Sequence, residues 1–175
     1  DILVNNAGIN IRKPTIEFPL EDWHAVVDTS LTGTFIGCKV AAPAMIKAGW
    51  GRIINVSSMF GQVGVADRPA YTAAKGGMIH LPRTLALEYA DRGIRVNGVG
   101  PGATVTDMNS SWLDNPAARR TVESHIPMGR AATPEEIASV FAFLASDDAA
   151  YVTGQTIYAC GGLTLYADFR TSLPS

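Results

Sequence analysis

The chain has 175 residues, a length typical of one domain, and its 47% hydrophobic and 17% charged content supports a sizeable buried core. A formal net charge of −2 gives no electrostatic attraction to nucleic acid or to an anionic membrane, so neither is expected as a partner. The two cysteines, Cys38 and Cys160, lack the spacing of a metal or redox motif. We therefore expect a cytoplasmic protein with reduced thiols and no metal site.

Strand and helix signals alternate along the first half of the chain. The short apolar run at 2–5 is typical of a buried parallel strand. Residues 19–48 predict one long helix because their apolar positions keep helical spacing, and Pro43 is expected to kink it or to open a second segment. Gly49 marks its end, and residues 52–57 predict the next strand.

The alternation continues in the second half. Residues 70–91 predict a helix, residues 94–99 a strand rich in β-branched side chains, and residues 155–158 a last strand. Thr133 is followed by Pro, Glu and Glu, which predicts a capped helix start. Strands separated by helices indicate an α/β fold with a Rossmann-like, doubly wound parallel sheet, here a single domain over 1–175.

Tyr71 and Lys75 lie four residues apart, and Ser58 lies 13 residues before the tyrosine. On a helix, positions i and i+4 share one face, so the phenol and the ammonium are expected to point the same way. A cation beside a phenol favours the phenolate, which exchanges a proton with a carbinol oxygen. Ser58 can supply a second hydrogen bond to that oxygen. Taken alone, the pair is better explained as a tyrosine packed under a lysine stem.

The surrounding motifs favour the chemical interpretation. They are Asn5-Asn6-Ala7-Gly8, Ile53 to Ser58, Tyr71-Thr72-Ala73-Ala74-Lys75, Ile94 to Gly102, Thr106-Asp107-Met108 and Tyr151 to Gln155. With these motifs in this order, the chain resembles the short-chain dehydrogenase/reductase family over nearly its whole length. The resemblance places the strands of this chain at strands four to seven of the family fold.

The resemblance implies roles for the residues at the predicted strand ends, which meet at one edge of a parallel sheet. Tyr71 would be the general acid/base, Lys75 would bind the nicotinamide ribose, and Ser58 would orient the substrate carbonyl. NAD or NADP would be the cofactor. The residues implied to bind it are Asn6, Ala7, Gly8, Tyr71, Lys75, Pro101, Gly102, Thr104 and Thr106.

The chain departs from the family pattern in three ways. It contains no Gly-rich turn after an opening strand, so we expect it to lack roughly eighty N-terminal residues that hold the dinucleotide fingerprint. Ser30 stands at the position of a family asparagine that is thought to hold a water near the lysine, which predicts reduced or altered turnover. Cys160 replaces an aspartate near the last strand and is expected to be buried and inert.

Residues 106–128 have a broken pattern, and the resemblance implies a mobile substrate lid there. Their polar side chains hint at a hydroxylated substrate such as a sugar or polyol. The resemblance also implies that the long helices around 23–42 and 70–88 pair about a two-fold axis in a homodimer or homotetramer.

Two functions follow from these observations. The first is an NAD(P)-dependent oxidoreductase that interconverts an alcohol and a ketone. The alternative is a truncated, non-catalytic fragment or subunit that keeps the fold and its association surfaces but binds no dinucleotide. In an isolated fragment, the strand at 2–5 would be an unpaired apolar edge.

Overall fold

The structure, a computed structural model, describes residues 1–165. Residues 166–175 of the predicted domain lie outside the described residues. The strands are β1 (Ile2–Asn5), β2 (Gly51–Val56), β3 (Ile94–Pro101) and β4 (Thr156–Ala159). The helices are α1 (Leu20–Val27), α2 (Gly33–Ala48), α3 (Pro69–Tyr89), α4 (Ser110–Leu113), α5 (Pro116–Ser124) and α6 (Pro134–Ala145).

The four strands form one parallel sheet in the order β1-β2-β3-β4. Ile53 on β2 pairs with Leu3 on β1 and with Val96 on β3, and Val99 pairs with Ile157 on β4. Helices α2 and α3 contact β1, β2 and β3, while α6 contacts β2, β3 and β4. The predicted α/β class with a parallel, Rossmann-like sheet is confirmed.

The core lies on both faces of the sheet because successive strand residues point to opposite sides. Ile53 packs with Met45 of α2 and Leu85 of α3, whereas its neighbour Ile54 packs with Leu144 of α6. Apolar side chains are therefore needed on both faces of β2, which explains why isoleucine occupies the two consecutive positions 53 and 54.

The predicted helix over 19–48 is irregular at a different place from the one expected. Helix α2 continues through Pro43 to Ala48, so the proline does not divide it. Instead, α1 and α2 are joined by a π-helical turn at Asp28–Thr32. Such a turn inserts an extra residue into the helical repeat and re-aims the side chains that it carries, and Ser30 is one of them. Gly49, with φ of 67°, ends α2 in the left-handed conformation.

The capped start of α6 is as the sequence predicts. The hydroxyl of Thr133 accepts a hydrogen bond from the Glu136 amide at 3.3 Å, and the Glu136 carboxylate accepts one from the Thr133 amide at 2.9 Å. This capping box fixes the beginning of the helix that follows the segment 106–128.

One edge of the sheet is β1, which pairs only with β2 within the described residues. Ile2 and Val4 on this strand are 50% and 44% exposed. The predicted strand is therefore present with an uncovered apolar side. Within residues 1–165, no helix combines the length and the apolarity that crossing a membrane requires.

Helix α3 packs closely against the segment that follows β2. The Ser57 hydroxyl donates a hydrogen bond to the Lys75 carbonyl at 2.8 Å. A Cβ on Gly61 would lie 2.6 Å from that same carbonyl oxygen. Only glycine at position 61 lets the backbone approach the middle of α3 at this distance, and this approach sets the position of the helix relative to the sheet.

We expect Gly61→Ala to destabilise the protein by about 1–3 kcal/mol, because the added methyl group must push α3 away from the β2 end. Urea unfolding followed by circular dichroism measures the change. Gly64→Ala is the matched control, since a Cβ at Gly64 meets no atom within 4 Å. Equal midpoints for the two variants would contradict this packing argument.

Candidate active site

The carboxyl ends of β1, β2 and β3 surround one cavity of about 880 Å³. Such an edge is where parallel α/β sheets bind their ligands. The loops after the strands contribute most of the lining, and α3, α6 and the segment 106–128 contribute the rest. The lining includes Asn6, Ala7, Gly8, Asn10, Arg12, Val56, Ser58, Phe60, Arg68, Tyr71, Lys75, Pro101, Gly102, Thr104, Thr106, Asp107, Asn109, Trp112 and Phe141.

Tyr71 and Lys75 lie one turn apart on α3 and both line the cavity. The Lys75 amine is 5.7 Å from the centre of the Tyr71 ring. Pro69, the first residue of α3, places this pair in its first two turns. The geometry expected from the i,i+4 spacing is therefore present, and the amine lies within the range of a cation–π contact.

Lys75 is only 4% exposed. Its amine donates a hydrogen bond to the Val56 carbonyl at the end of β2, with a nitrogen–oxygen distance of 2.6 Å. Burial disfavours the charged form and lowers the pKa of Lys75 to about 8. The lysine is thus anchored to the sheet, and its proton affinity is set by removal from water.

Ser58 follows β2 and faces the same cavity. It is 6% exposed, and its hydroxyl oxygen accepts a hydrogen bond from the Phe60 amide at 3.2 Å. Because that bond uses a lone pair of the oxygen, the hydroxyl hydrogen can be donated to a ligand. Ser58, Tyr71 and Lys75 therefore line the same cavity, which brings two hydroxyl groups that can donate a hydrogen bond to one site.

Ser30 lies in the π-helical turn, is fully buried and does not line the cavity. Its hydroxyl has no hydrogen-bond partner among the described residues. A Cβ on Gly8 would lie 3.3 Å from the Lys75 amine and 3.4 Å from the Ser30 hydroxyl oxygen. Both polar groups therefore border the space that a side chain at position 8 would fill, and Ser30 itself does not line the cavity.

The residues predicted to bind the cofactor all line the cavity. Asn6, Ala7 and Gly8 form the part after β1, and Pro101, Gly102, Thr104 and Thr106 form the part after β3. Thr104 donates a hydrogen bond to the Gly102 carbonyl at 3.1 Å. A Cβ on Gly102 would lie 2.6 Å from the Cys160 backbone, so this turn also needs a glycine for packing.

Cys160 is buried, and its sulfur lies 3.4 Å from the Thr164 hydroxyl. Burial raises the pKa of its thiol, but hydrogen bonds from Thr164 and from neighbouring amides outweigh burial and lower it. The thiol does not line the cavity of about 880 Å³. Within residues 1–165, no group of three or more histidine, cysteine, aspartate or glutamate side chains is arranged to hold a metal ion.

The sequence interpretation missed several residues of the cavity, chief among them Asn10, Arg12, Phe60, Arg68 and Trp112. Asn10, Arg12 and Arg68 lie on loops next to a predicted element, whereas Phe60 lies in a short turn after β2 and Trp112 on α4. For the first three, the loop position was the available signal, because residues 9–12 follow β1 and residue 68 precedes α3. Which loop side chains turn inward depends on contacts between loops, and no periodicity reports those contacts.

A family model described as Enoyl-(Acyl carrier protein) reductase matches residues 1–164. The glucose 1-dehydrogenase of Gluconobacter oxydans is 45% identical over 178 residues, and the match covers 100% of this chain and 66% of that protein. The 3beta-hydroxysteroid dehydrogenase 1 of Eggerthella lenta is 46% identical over 171 residues, covering 97% of this chain and 66% of that protein.

A solved gluconate 5-dehydrogenase from Burkholderia cenocepacia, in complex with NADP and tartrate, superposes with a TM-score of 0.92 at 36% identity. That match covers 95% of this chain and 65% of the other chain. The present chain thus spans about two thirds of the length of its relatives.

A parallel α/β sheet with serine, tyrosine and lysine at its carboxyl edge defines a Rossmann-like protein with an acid–base site. Together with the match over residues 1–164, it makes the assignment plain: the chain belongs to the short-chain dehydrogenase/reductase family.

The buried amine of Lys75 gives a testable pH dependence. Its pKa is about 8 in the folded protein and near the ordinary lysine value of 10.5 when unfolded. Between pH 8 and pH 10.5 the unfolded state binds more protons than the folded state, so the free energy of unfolding rises with pH. Below pH 8 both states hold the proton, and the full cost of burying the charged amine is present.

We expect the free energy of unfolding of the wild type, relative to Lys75→Met, to rise by about 2–3 kcal/mol from pH 7 to pH 10.5. Urea titrations at several pH values measure this difference. Lys47→Met, on the exposed last turn of α2, is the control and should show no such slope. A difference between wild type and Lys75→Met that is independent of pH would show that burial does not tune this amine.

Proposed function

We propose that the protein is an NAD(P)-dependent oxidoreductase that interconverts an alcohol and a ketone. The observation that carries this proposal is the convergence of Tyr71, Lys75 and Ser58 on one cavity, with the lysine buried to 4% exposure. A chain that buries an ammonium without a carboxylate partner gives up stability, and acid–base chemistry at the adjacent phenol accounts for that cost.

The described residues fit a nicotinamide cofactor. The cavity wall beside Lys75 is formed by Ala7 and Gly8, and a Cβ on Gly8 would come within 3.3 Å of the amine and narrow the space. A volume of about 880 Å³ is within the range of small-molecule sites. Lys75 would hold the cofactor ribose, and Thr104 and Thr106 would lie near the carboxamide. When bound, the nicotinamide supplies or accepts the hydride.

The proton is handled by the chain's own residues. Tyr71 would give its phenolic proton to a carbonyl oxygen in reduction and take a proton from the carbinol in oxidation. The Lys75 amine lies 5.7 Å from the centre of the Tyr71 ring, on the same face of α3. Ser58 would donate a hydrogen bond to the same substrate oxygen and orient it toward the phenol.

The relatives support an enzyme rather than the non-catalytic alternative. The two curated relatives and the solved structure described above are all named dehydrogenases, and they act on different carbinols according to their names. A truncated subunit without dinucleotide binding is not favoured by these matches. Two of the three names refer to a sugar or a sugar acid, which supports a polyhydroxylated substrate for this protein.

Ser30 would take the place of the family asparagine by binding a water molecule. Its unpartnered, buried hydroxyl and the Lys75 amine both border the space left by the absent side chain of Gly8. A buried hydroxyl without a partner is costly, and a bound water would satisfy it. This water would connect the lysine to a proton path, with an altered rate of turnover compared with asparagine.

Residues 106–128 would act as the substrate lid. In the structure this segment contains α4 and α5, and Thr106, Asp107, Asn109 and Trp112 line the cavity. Asn109 donates to the Thr104 carbonyl at 2.8 Å and accepts a hydrogen bond from the Trp112 indole at 3.1 Å. Polar groups of the lid thus lie where the hydroxyl groups of a substrate would be bound.

The protein would act in the cytoplasm as a homodimer or homotetramer. The free cysteines Cys38 and Cys160 are both buried, which suits a reducing compartment. Large apolar side chains are exposed on the two long helices: Ile36 is 53% and Val40 73% exposed on α2, and Leu87 is 87% exposed on α3. Association through these helices would cover them.

We expect Tyr71→Phe to lower kcat by about 10²–10⁴-fold, because the variant loses the proton donor but keeps the ring. The measurement is NAD(P)H absorbance with the protein expressed from its complete coding sequence. Tyr151→Phe is the matched control, since Tyr151 is fully exposed and lies outside the cavity. Unchanged turnover in Tyr71→Phe would disprove the proposed mechanism.

We expect Val40→Glu combined with Leu87→Glu to reduce the assembly to a smaller species, because the charges would be buried at the proposed interface. Light scattering after gel filtration measures the mass. Ile16→Glu is the control, since Ile16 is 95% exposed outside the long helices. An identical mass for all variants would place the interface elsewhere.

A further inference from the structure

Two arginines line the cavity beside the acid–base site. Arg12 lies on the loop after β1, and Arg68 immediately precedes α3. Neither belongs to the serine, tyrosine and lysine group, and neither has a role in the proton chemistry described above. Arg68 lies three residues before Tyr71, and the two side chains interact electrostatically.

The two loops are tied together next to the arginines. The amide of Lys13 donates a hydrogen bond to the carbonyl of Asp67 at 2.9 Å. Asp67 has a φ of 62°, a left-handed conformation that few non-glycine residues adopt. Each partner in this hydrogen bond is the neighbour of one arginine. The contact therefore holds Arg12 and Arg68 close enough for each to feel the charge of the other.

The arginine charges are not neutralised by ion pairs. Across residues 1–165, no carboxylate lies within 4.0 Å of Arg12 or Arg68. Asp67 acts on Arg68 only through a weaker electrostatic interaction, and the carboxylate of Asp107, which also lines the cavity, is exposed. Burial, followed by the charge of Arg12, lowers the pKa of Arg68.

Arg68 packs against an aromatic ring. Its guanidinium lies 5.1 Å from the centre of the Phe60 ring, and the residue is half-buried. Stacking on an aromatic ring fixes the plane of the guanidinium without using its N–H groups. Two neighbouring guanidinium groups with free donors, facing a cavity, match the oxygens of a carboxylate.

We propose that Arg12 and Arg68 form a carboxylate subsite, so that the substrate is a polyhydroxylated acid whose carbinol lies at Tyr71. This inference rests on the proposed oxidoreductase function and names the substrate class of the same site. The favoured source of the anion is the substrate, because Arg68 directly precedes the helix that carries Tyr71. A phosphate of the dinucleotide is the other source of this chemistry, and the test separates the two.

The test uses the protein expressed from its complete coding sequence, with Arg12→Gln, Arg68→Gln and the double variant. The probes are the aldonates D-gluconate and D-galactonate and the neutral alditols D-glucitol and galactitol. Arg92→Gln is the matched control, since Arg92 pairs with its neighbour Asp91 and does not line the cavity. The readouts are kcat/KM for each acid, KM for NAD and NADP, and calorimetric binding of each acid to the cofactor complex.

We expect each glutamine variant to weaken binding of the acid and to lower its kcat/KM by about 10- to 100-fold, the effect of losing a hydrogen bond between two charged groups. For the alditols, kcat/KM should fall by a smaller factor than for the acids, because an alditol has no carboxylate to bind, and KM for either cofactor should stay within about twofold of the wild type. Arg12→Lys and Arg68→Lys should recover part of the affinity, because the charge remains while the paired donors are lost.

Three results would overturn the carboxylate subsite. The first is that calorimetry detects no binding of the acids to the wild type. The second is that the variants bind the acids as tightly as the wild type does. The third is that the variants raise KM for the dinucleotide while their affinity for acids is unchanged. Failure of the proposed function would give a different result. The acids would still bind, and binding would still depend on the arginines, but neither acids nor alditols would be turned over in a way that depends on Tyr71.

Discussion

The hydrogen bond from the Lys75 amine to the Val56 carbonyl joins the centre of the site to the end of the sheet. Its counterpart, from the Ser57 hydroxyl to the Lys75 carbonyl, fixes the same residue from its backbone side. With both contacts made, α3 cannot slide or rotate relative to β2 without leaving a buried polar group unpaired. The positions of Tyr71 and Ser58 relative to each other therefore depend on how Lys75 is buried.

The burial of Lys75 also explains where the chain requires glycine. Gly61 permits the close approach of the loop after β2 to α3, and Gly8 leaves room between the lysine amine and Ser30. At both positions a side chain would crowd a polar group of Lys75: its carbonyl oxygen at Gly61 and its amine at Gly8. Packing in this part of the molecule is therefore arranged around the buried amine of Lys75. Burying this cation lowers the stability of the fold, and the proposed proton transfer would explain why it is kept.

Electrostatically, the cavity is dominated by cations. Arg12, Arg68 and Lys75 line it with Asp107 as the exposed carboxylate of the lining. The lysine lies next to the phenol, and the arginines lie on tied loops at the start of the same helix. In the function proposed here, one end of the site would serve proton transfer and the neighbouring part would bind an anion. Relatives with different named activities share this fold, so differences in the loops would select among carbinols.

The sequence by itself determined the order of strands and helices, the capping box of α6 and the shared face of Tyr71 and Lys75, because each of these depends on local periodicity or on neighbours a few residues apart. Only the tertiary structure decided that Arg12 and Arg68 face one cavity and that the helix irregularity lies at Asp28–Thr32 rather than at Pro43. Those features depend on contacts between segments distant in the chain, such as the hydrogen bond from Lys13 to Asp67. Local residue patterns carry no information about which distant loops meet, and that is the physical reason for the difference.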